Sequence, residues 1–320
     1  MKSIASAPAK VILFGEHFIV YGGKAILCSI DKRITIESRL SNNNTISIKS
    51  AIGSLEASMN ESFKNIDSKF RPIVFLAQTI LKQFDSKSGL DISIISDIPP
   101  GVGLGSSSAC CVAAAASISG LFMNYSKGEI LKLAIDAERT VFENASGADT
   151  SICTYGGIME YTKQGTRNLD LKPKFQLVIA NSKMVHSTSE VVSRVKQFKE
   201  KQSDVFSVLC QNESSLIEEA LDALKKNDLR SIGEKILVNQ SHLQKIGVSN
   251  DTLDSMVNTI KDISYGAKLT GAGDGGCIIA IVDDSNLDKT LSALKSQNYD
   301  CFATKIDTLG VEQKTIANTA

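Results

Sequence analysis

Pro99-Pro100-Gly101-Val102-Gly103-Leu104-Gly105-Ser106-Ser107-Ser108 is the stretch that decides how this chain is read. The prolines interrupt the strand-like residues before them. Three glycines at alternate positions permit positive φ and let backbone approach an anion closely. The serines offer hydroxyl donors and helix caps. The run from Ser107 to Phe122, rich in alanine and small apolar residues, predicts a buried helix directly after the loop. Free amides at such a helix start, with the helix dipole behind them, suit a phosphate. No Gly-Lys-Ser/Thr follows, so this is not a Walker loop. No acidic residue ends a second strand at the distance a dinucleotide fingerprint requires. Taken alone, the stretch fits a capped helix after a tight turn as well as a phosphate cradle.

Three further segments carry polar groups in positions suited to chemistry. Pro8-Ala9-Lys10-Val11-Ile12-Leu13-Phe14-Gly15-Glu16-His17 opens a buried strand with a lysine and closes it with a Gly-Glu-His turn. Lys10 suits an anion, and Glu16 and His17 a polar ligand; each is equally compatible with surface charge at a strand end. Gly271-Ala272-Gly273-Asp274-Gly275-Gly276-Cys277, preceded by Lys268 and Thr270, leads into an apolar strand. Such a loop packs against a ligand, against another glycine loop, or simply as a strand entry. Glu138 lies in a helix beside core-facing Ala134 and Val141, where a carboxylate calls for a partner or a metal. Asp149 follows a helix end and a Ser-Gly turn. Two carboxylates from one helix-turn unit suit a magnesium ligand plus a base, or a solvated helix face and a turn aspartate.

Around these segments the periodicity predicts strands at Val11–Phe14, Ala25–Ile30, Ile34–Ser38, Thr45–Ser50, Leu90–Ile95, Phe175–Ala180, Cys277–Val282 and Asp300–Ile306, the last as the final strand. Asn42, Asn43 and Asn44 predict a turn, with Thr45–Ser50 pairing back on the strand before it. Helices are expected at Pro72–Phe84, Ser107–Phe122, Lys127–Glu143, Glu190–Glu200, Val205–Lys225, Leu229–Lys245, Asp251–Ile260 and Leu287–Gln297. Strand-rich sequence gives way to helices near residues 175 to 190. Strands and helices grouped in this way argue an α+β fold rather than regular βαβ alternation.

The 320 residues are 42% hydrophobic and 22% charged with zero formal net charge, so no overall field draws the chain to nucleic acid or to an anionic membrane. No apolar run reaches 18 residues, and no signal peptide is read at the start; a cytoplasmic protein is expected. Seven cysteines without a CxxC pair read as free thiols in a reducing compartment. Three scattered histidines do not make a zinc site.

Together these segments resemble the GHMP kinases, whose three motifs match Pro8 to His17, Pro99 to Ala109 and Lys268 to Cys277 in order. The resemblance spans nearly the whole chain. It is strongest to the mevalonate kinase branch in its shorter archaeal-type form, through Lys10 to His17 with Val20-Tyr21-Gly22, Ser146 to Asp149 with Thr154-Tyr155-Gly156-Gly157, Asn181 to Thr188, and Gly247-Val248-Ser249. It implies a two-domain fold, ribosomal-protein-S5-like over 1–178 and ferredoxin-like over 179–320, with the active site between them. It also implies ATP and magnesium as cofactors, mevalonate as a small-molecule substrate, and a homodimer. Position by position it makes Asp149 the catalytic base, with Lys10 beside it. Pro99, Gly101, Gly103, Leu104, Gly105, Ser106, Ser107 and Ser108 would line the nucleotide. Ser107 and Glu138 would hold magnesium. Glu16, His17, Thr188, Gly271 and Ala272 would line the substrate. Ala9 departs from the usual glycine of the first motif. His186 stands where many mevalonate kinases carry an arginine for the substrate carboxylate.

Overall fold

In the computed structural model, residues 1–99, 101–185 and 187–317 are described, and they build two sheets. Pro100 and His186 therefore lie outside the described residues. The first sheet contains β1 (Lys2–Phe14), β2 (Ala25–Ser41), β3 (Thr45–Ser50), β4 (Gly53–Ser58), β5 (Gly89–Ser96), β6 (Ile158–Thr162), β7 (Gly165–Asn168) and β12 (Glu312–Ile316). Its order is β12-β1-β2-β5-β3-β4, with β6 on β2 and β7 on β6. The helices α1 (Arg71–Gln83), α2 (Ser106–Ser119), α3 (Lys127–Arg139) and α4 (Ala148–Tyr155) belong to this half. The second sheet, β11 (Asp300–Thr304), β8 (Gln176–Asn181), β10 (Cys277–Val282) and β9 (Gly266–Thr270) in that order, is antiparallel throughout. It carries α5 (Thr188–Lys201), α6 (Ser203–Lys226), α7 (Leu229–Lys245), α8 (Asp251–Ile260) and α9 (Leu287–Ser296). One mixed and one antiparallel sheet, with grouped helices, make the chain α+β, as expected.

Alternation decides which core each strand serves. In β1, Ala5, Ala7, Ala9, Val11 and Leu13 join the large core, and their short side chains suit the approach of α2, itself buried nearly all round. In β10, Cys277, Ile279 and Ile281 face that same core. Ile278, Ala280 and Val282 face a second one, shared with α5 and α8. The continuous apolar run of β10 is thus a strand buried on both faces.

Several expectations are corrected. β2 is one 17-residue strand where two were expected. β3 pairs with β4 and, in parallel, with β5, so the asparagine turn does not fold it back on β2. Asp300–Thr304 is not last, because β12 follows and returns to β1. The expected domain limit at 178/179 falls inside β8, and β12 belongs to the first sheet.

Candidate active site

The two halves meet around the end of β1. A register shift between Pro8 and Ala9 precedes Lys10, and a second lies between Ile12 and Phe14. Such irregularities re-aim side chains. At the second shift Thr270 of β9 bridges across: its hydroxyl accepts from the Ile12 amide at 3.0 Å and donates to the Ile12 carbonyl at 3.1 Å. Ile12 also packs with Leu27, Ala148, Ile152 and Met159, which seats α4 beside β1.

That seating brings Asp149, in the first turn of α4, to Lys10. The Lys10 Nζ–Asp149 Oδ2 distance is 2.9 Å, with the lysine buried and the aspartate half-buried. Burial works against the Lys10 ammonium, but the adjoining Asp149 more than offsets it, and the lysine is held above its ordinary value. A cation is thereby fixed beside a carboxylate that keeps access to the cleft.

The glycine loop is strapped onto the same lysine. The Lys10 amide donates to the Leu104 carbonyl at 2.9 Å. Gly101, Gly103 and Gly105 all have positive φ, at 73°, 78° and 74°. Gly105, not a serine, is the N-cap of α2, with no side-chain cap; the three serines are the first helical residues. The leading amides of the helix are thus left without a side-chain acceptor, the arrangement that receives an anion. Beside the loop opens a mainly apolar cavity of about 320 Å³, lined among others by Ile34, Phe70, Ile73, Ser106, Ser107 and Cys110.

Glu138 in α3 is buried, as its apolar neighbours suggested, and its Oε1 accepts from Ser108 Oγ at 2.5 Å. The hydroxyl partner of Glu138 is therefore Ser108, whereas Ser107 is exposed and faces the cavity. Burial pushes the Glu138 carboxyl above its ordinary value; the Ser108 bond opposes this and Asp149 adds to it. Among the described residues no group of three or more His, Cys, Asp or Glu could hold a metal ion. One buried carboxylate with hydroxyls nearby instead fits a hard cation that takes most of its oxygens from phosphates.

On the other side of Lys10, the third glycine loop comes close: a Cβ on Gly271 would stand 3.8 Å from the Gly103 carbonyl oxygen. His17 has φ 62°, unusual for a residue with a side chain, and its Nε2 donates to the Ala272 carbonyl at 2.7 Å. Burial pushes the imidazole below its ordinary value, and the Ala272 bond only partly opposes it, so His17 is neutral near pH 7 with Nδ1 left as an acceptor. Glu16 is buried in an ion pair with Lys268 of β9. Burial drives both toward neutrality, the carboxyl upward and the ammonium downward, each restrained by the other.

The structure thus gathers Lys10, Asp149, Glu16, His17, Gly271, Ala272, Glu138 and the 101–108 loop. Pro99 is half-buried before the loop. Thr188 starts α5 and is exposed, with no bond to these residues among those described. In the sequence Lys268 stands as a flank of the third motif; its position between apolar Ala267 and Leu269 in β9 is the signal that marks it. Arg194 of α5 lies outside the motifs of the sequence. It donates to Asp274 at 2.8 Å and to the Gly247 carbonyl at 3.3 Å, pinning the third loop to α5.

Residues 72–157 match the family model of the GHMP kinases N terminal domain, and residues 220–300 that of the GHMP kinases C terminal domain. The mevalonate kinase of Archaeoglobus fulgidus is 34% identical over 284 residues, covering 87% of this chain and 92% of the relative. That of Methanothermobacter thermautotrophicus is 33% identical over 305 residues, covering 93% and 98%. Among solved structures, the Methanococcus jannaschii mevalonate kinase superposes with a TM-score of 0.84 at 29% identity, covering 95% of this chain and 98% of that one. The L. major mevalonate kinase in complex with R-mevalonate superposes with a TM-score of 0.80 at 25% identity, covering 94% and 95%.

Proposed function

The chain belongs to the GHMP kinase family, and on that footing we propose that it transfers the γ-phosphoryl group of ATP to the 5-hydroxyl of (R)-mevalonate, giving 5-phosphomevalonate and ADP. The observation that carries the reading is the Lys10–Asp149 pair at 2.9 Å, set where the three glycine-bearing motifs converge. The relatives named mevalonate kinase select the alcohol.

Phosphoryl transfer asks mainly for positioning and charge neutralisation. The apolar cavity takes the nucleoside, and the amides of the 101–108 loop and the α2 start take the β- and γ-phosphates. Asp149 accepts the proton of the substrate hydroxyl. That oxygen bonds to the γ-phosphorus as the bond to the β–γ bridging oxygen breaks and ADP departs. Lys10, held charged, steadies the ionised Asp149 and the developing alkoxide. Glu138 and the Ser107 hydroxyl, with Ser108 orienting the carboxylate, would hold a magnesium ion, which supplies charge neutralisation on the phosphate oxygens. Glu16, His17, Gly271 and Ala272 surround the alcohol, and Thr188, at the exposed start of α5, would lie beside it.

The chain works in the cytoplasm as a homodimer. Its two units divide just before β8, with β12 returning to the first; limited proteolysis tests the division and light scattering the dimer. No helix is long and apolar enough to cross a membrane among the described residues.

A coupled ADP-release assay across mevalonate, phosphomevalonate, galactose and homoserine tests the reaction. Turnover selective for mevalonate is expected. Turnover of another alcohol would reassign the substrate, and ATP binding without turnover of any would point to a non-catalytic sensor.

A further inference from the structure

We propose that Lys268 is a positioning residue for the alcohol: its ammonium fixes one oxygen of the Glu16 carboxylate, leaving the other oxygen presented as an acceptor for a substrate hydroxyl. The inference rests on the reading that this site phosphorylates an alcohol.

Lys268 is the middle residue of β9, opposite Ile279 of β10, and is fully buried. Its neighbours Ala267 and Leu269 face the second core. An ammonium in such a place loses its hydration, and an apolar residue of similar volume would serve packing better. Its carboxylate partner comes from the other half of the molecule, 252 residues earlier, in the turn that ends β1. The other Glu16 oxygen, Oε2, is buried and has no hydrogen-bond partner among the described residues. Buried carboxylate oxygens rarely go unpaired without a reason.

The next carboxylate behind the pair does not compete for Lys268. Glu213 of α6 accepts from Asn239 Nδ2 at 2.6 Å and bonds His242 Nδ1 at 2.7 Å, so both its oxygens are engaged. Among the described residues Lys268 bonds to Glu16, and Glu213 adds only a longer-range attraction. Two further ties hold the end of β1 and its turn to the same strand and its loop, Thr270 to Ile12 and His17 to the Ala272 carbonyl. The turn bearing Glu16 and His17 is thereby docked on β9, and the ion pair sets the rotation of the Glu16 carboxylate within it. A purely structural ion pair would satisfy both carboxylate oxygens, and this one does not.

The test compares Lys268→Met, Glu16→Gln and the double variant with wild type, measuring KM for mevalonate, KM for ATP, kcat and the thermal midpoint. Lys268→Met should lower the midpoint by stranding a buried carboxylate, and raise KM for mevalonate about tenfold or more with KM for ATP within about twofold. The double variant removes both charges, so it should regain the midpoint while KM for mevalonate stays high. It keeps the test open if Lys268→Met does not fold. Recovery of KM together with the midpoint, or an equal rise in both KM values, would overturn the positioning role and leave the reaction standing. Absence of turnover by wild type on every alcohol would overturn the reaction and this inference with it.

Discussion

Gly105→Ala is the substitution whose effect follows most directly from the geometry. Gly105 caps α2 at φ 74°, ψ 27°, and a Cβ added there would lie 2.7 Å from Lys10 Cγ and 3.0 Å from Cε. Ordinary contact begins at 3.4 Å, so the lysine must yield by about 0.7 Å. It has little room to do so, being buried, tied by its amide to Leu104 and paired with Asp149. The left-handed backbone alone costs an alanine about 1–2 kcal/mol of stability. The catalytic effect is larger: a misplacement approaching 1 Å at a reacting group costs on the order of 100-fold in rate, about 2.7 kcal/mol in the barrier. Gly105→Ala should therefore lower kcat about 100-fold while denaturant unfolding shows a loss of only about 1–3 kcal/mol. The assay is ADP release at saturating ATP and mevalonate. A folded variant with kcat within about threefold of wild type would refute the claim that the loop sets the Lys10–Asp149 geometry.

Other consequences are as specific. Burial raises the Glu138 carboxyl above its ordinary value, so acidification protonates it earlier than a solvated glutamate, and the magnesium needed for half-maximal rate should rise as pH falls; Ser108→Ala, which deletes the opposing bond, should move that rise to higher pH. Thr270→Val strands the Ile12 amide and carbonyl between the two halves and should cost about 1–3 kcal/mol in denaturant unfolding. Burial pushes the thiols of Cys110 and Cys277 up to about 12, so iodoacetamide at pH 8, followed by mass spectrometry, should label the half-buried Cys210 and Cys301 first.

The loops of the site were legible because their chemistry is local. Glycines at alternate positions before a small-residue helix, and a Gly-Glu-His turn closing an apolar strand, carry their conformation in a few residues. Long amphipathic helices such as α6 and α7 were legible by period. Tertiary relations were not. β12 is short and mostly polar, and only its pairing with β1 makes it a strand. α4 is eight residues long, too short to show a period, yet it aims Asp149. Ser108 and Ser107 are adjacent in a run of like residues, and only the turn of α2 decides which one meets Glu138. Lys268 looked like a polar flank of a loop, because its partner lies in the other half of the molecule.

Asp149→Asn tests the central claim most directly. The side chain keeps its shape beside Lys10 but loses its charge, and with it the ion pair and the ability to take a proton. Single-turnover ADP release should fall by about 100- to 10,000-fold, the usual worth of a general base, with ATP affinity by calorimetry within about threefold of wild type. A folded Asp149→Asn protein that phosphorylates mevalonate at close to the wild-type rate would contradict the account.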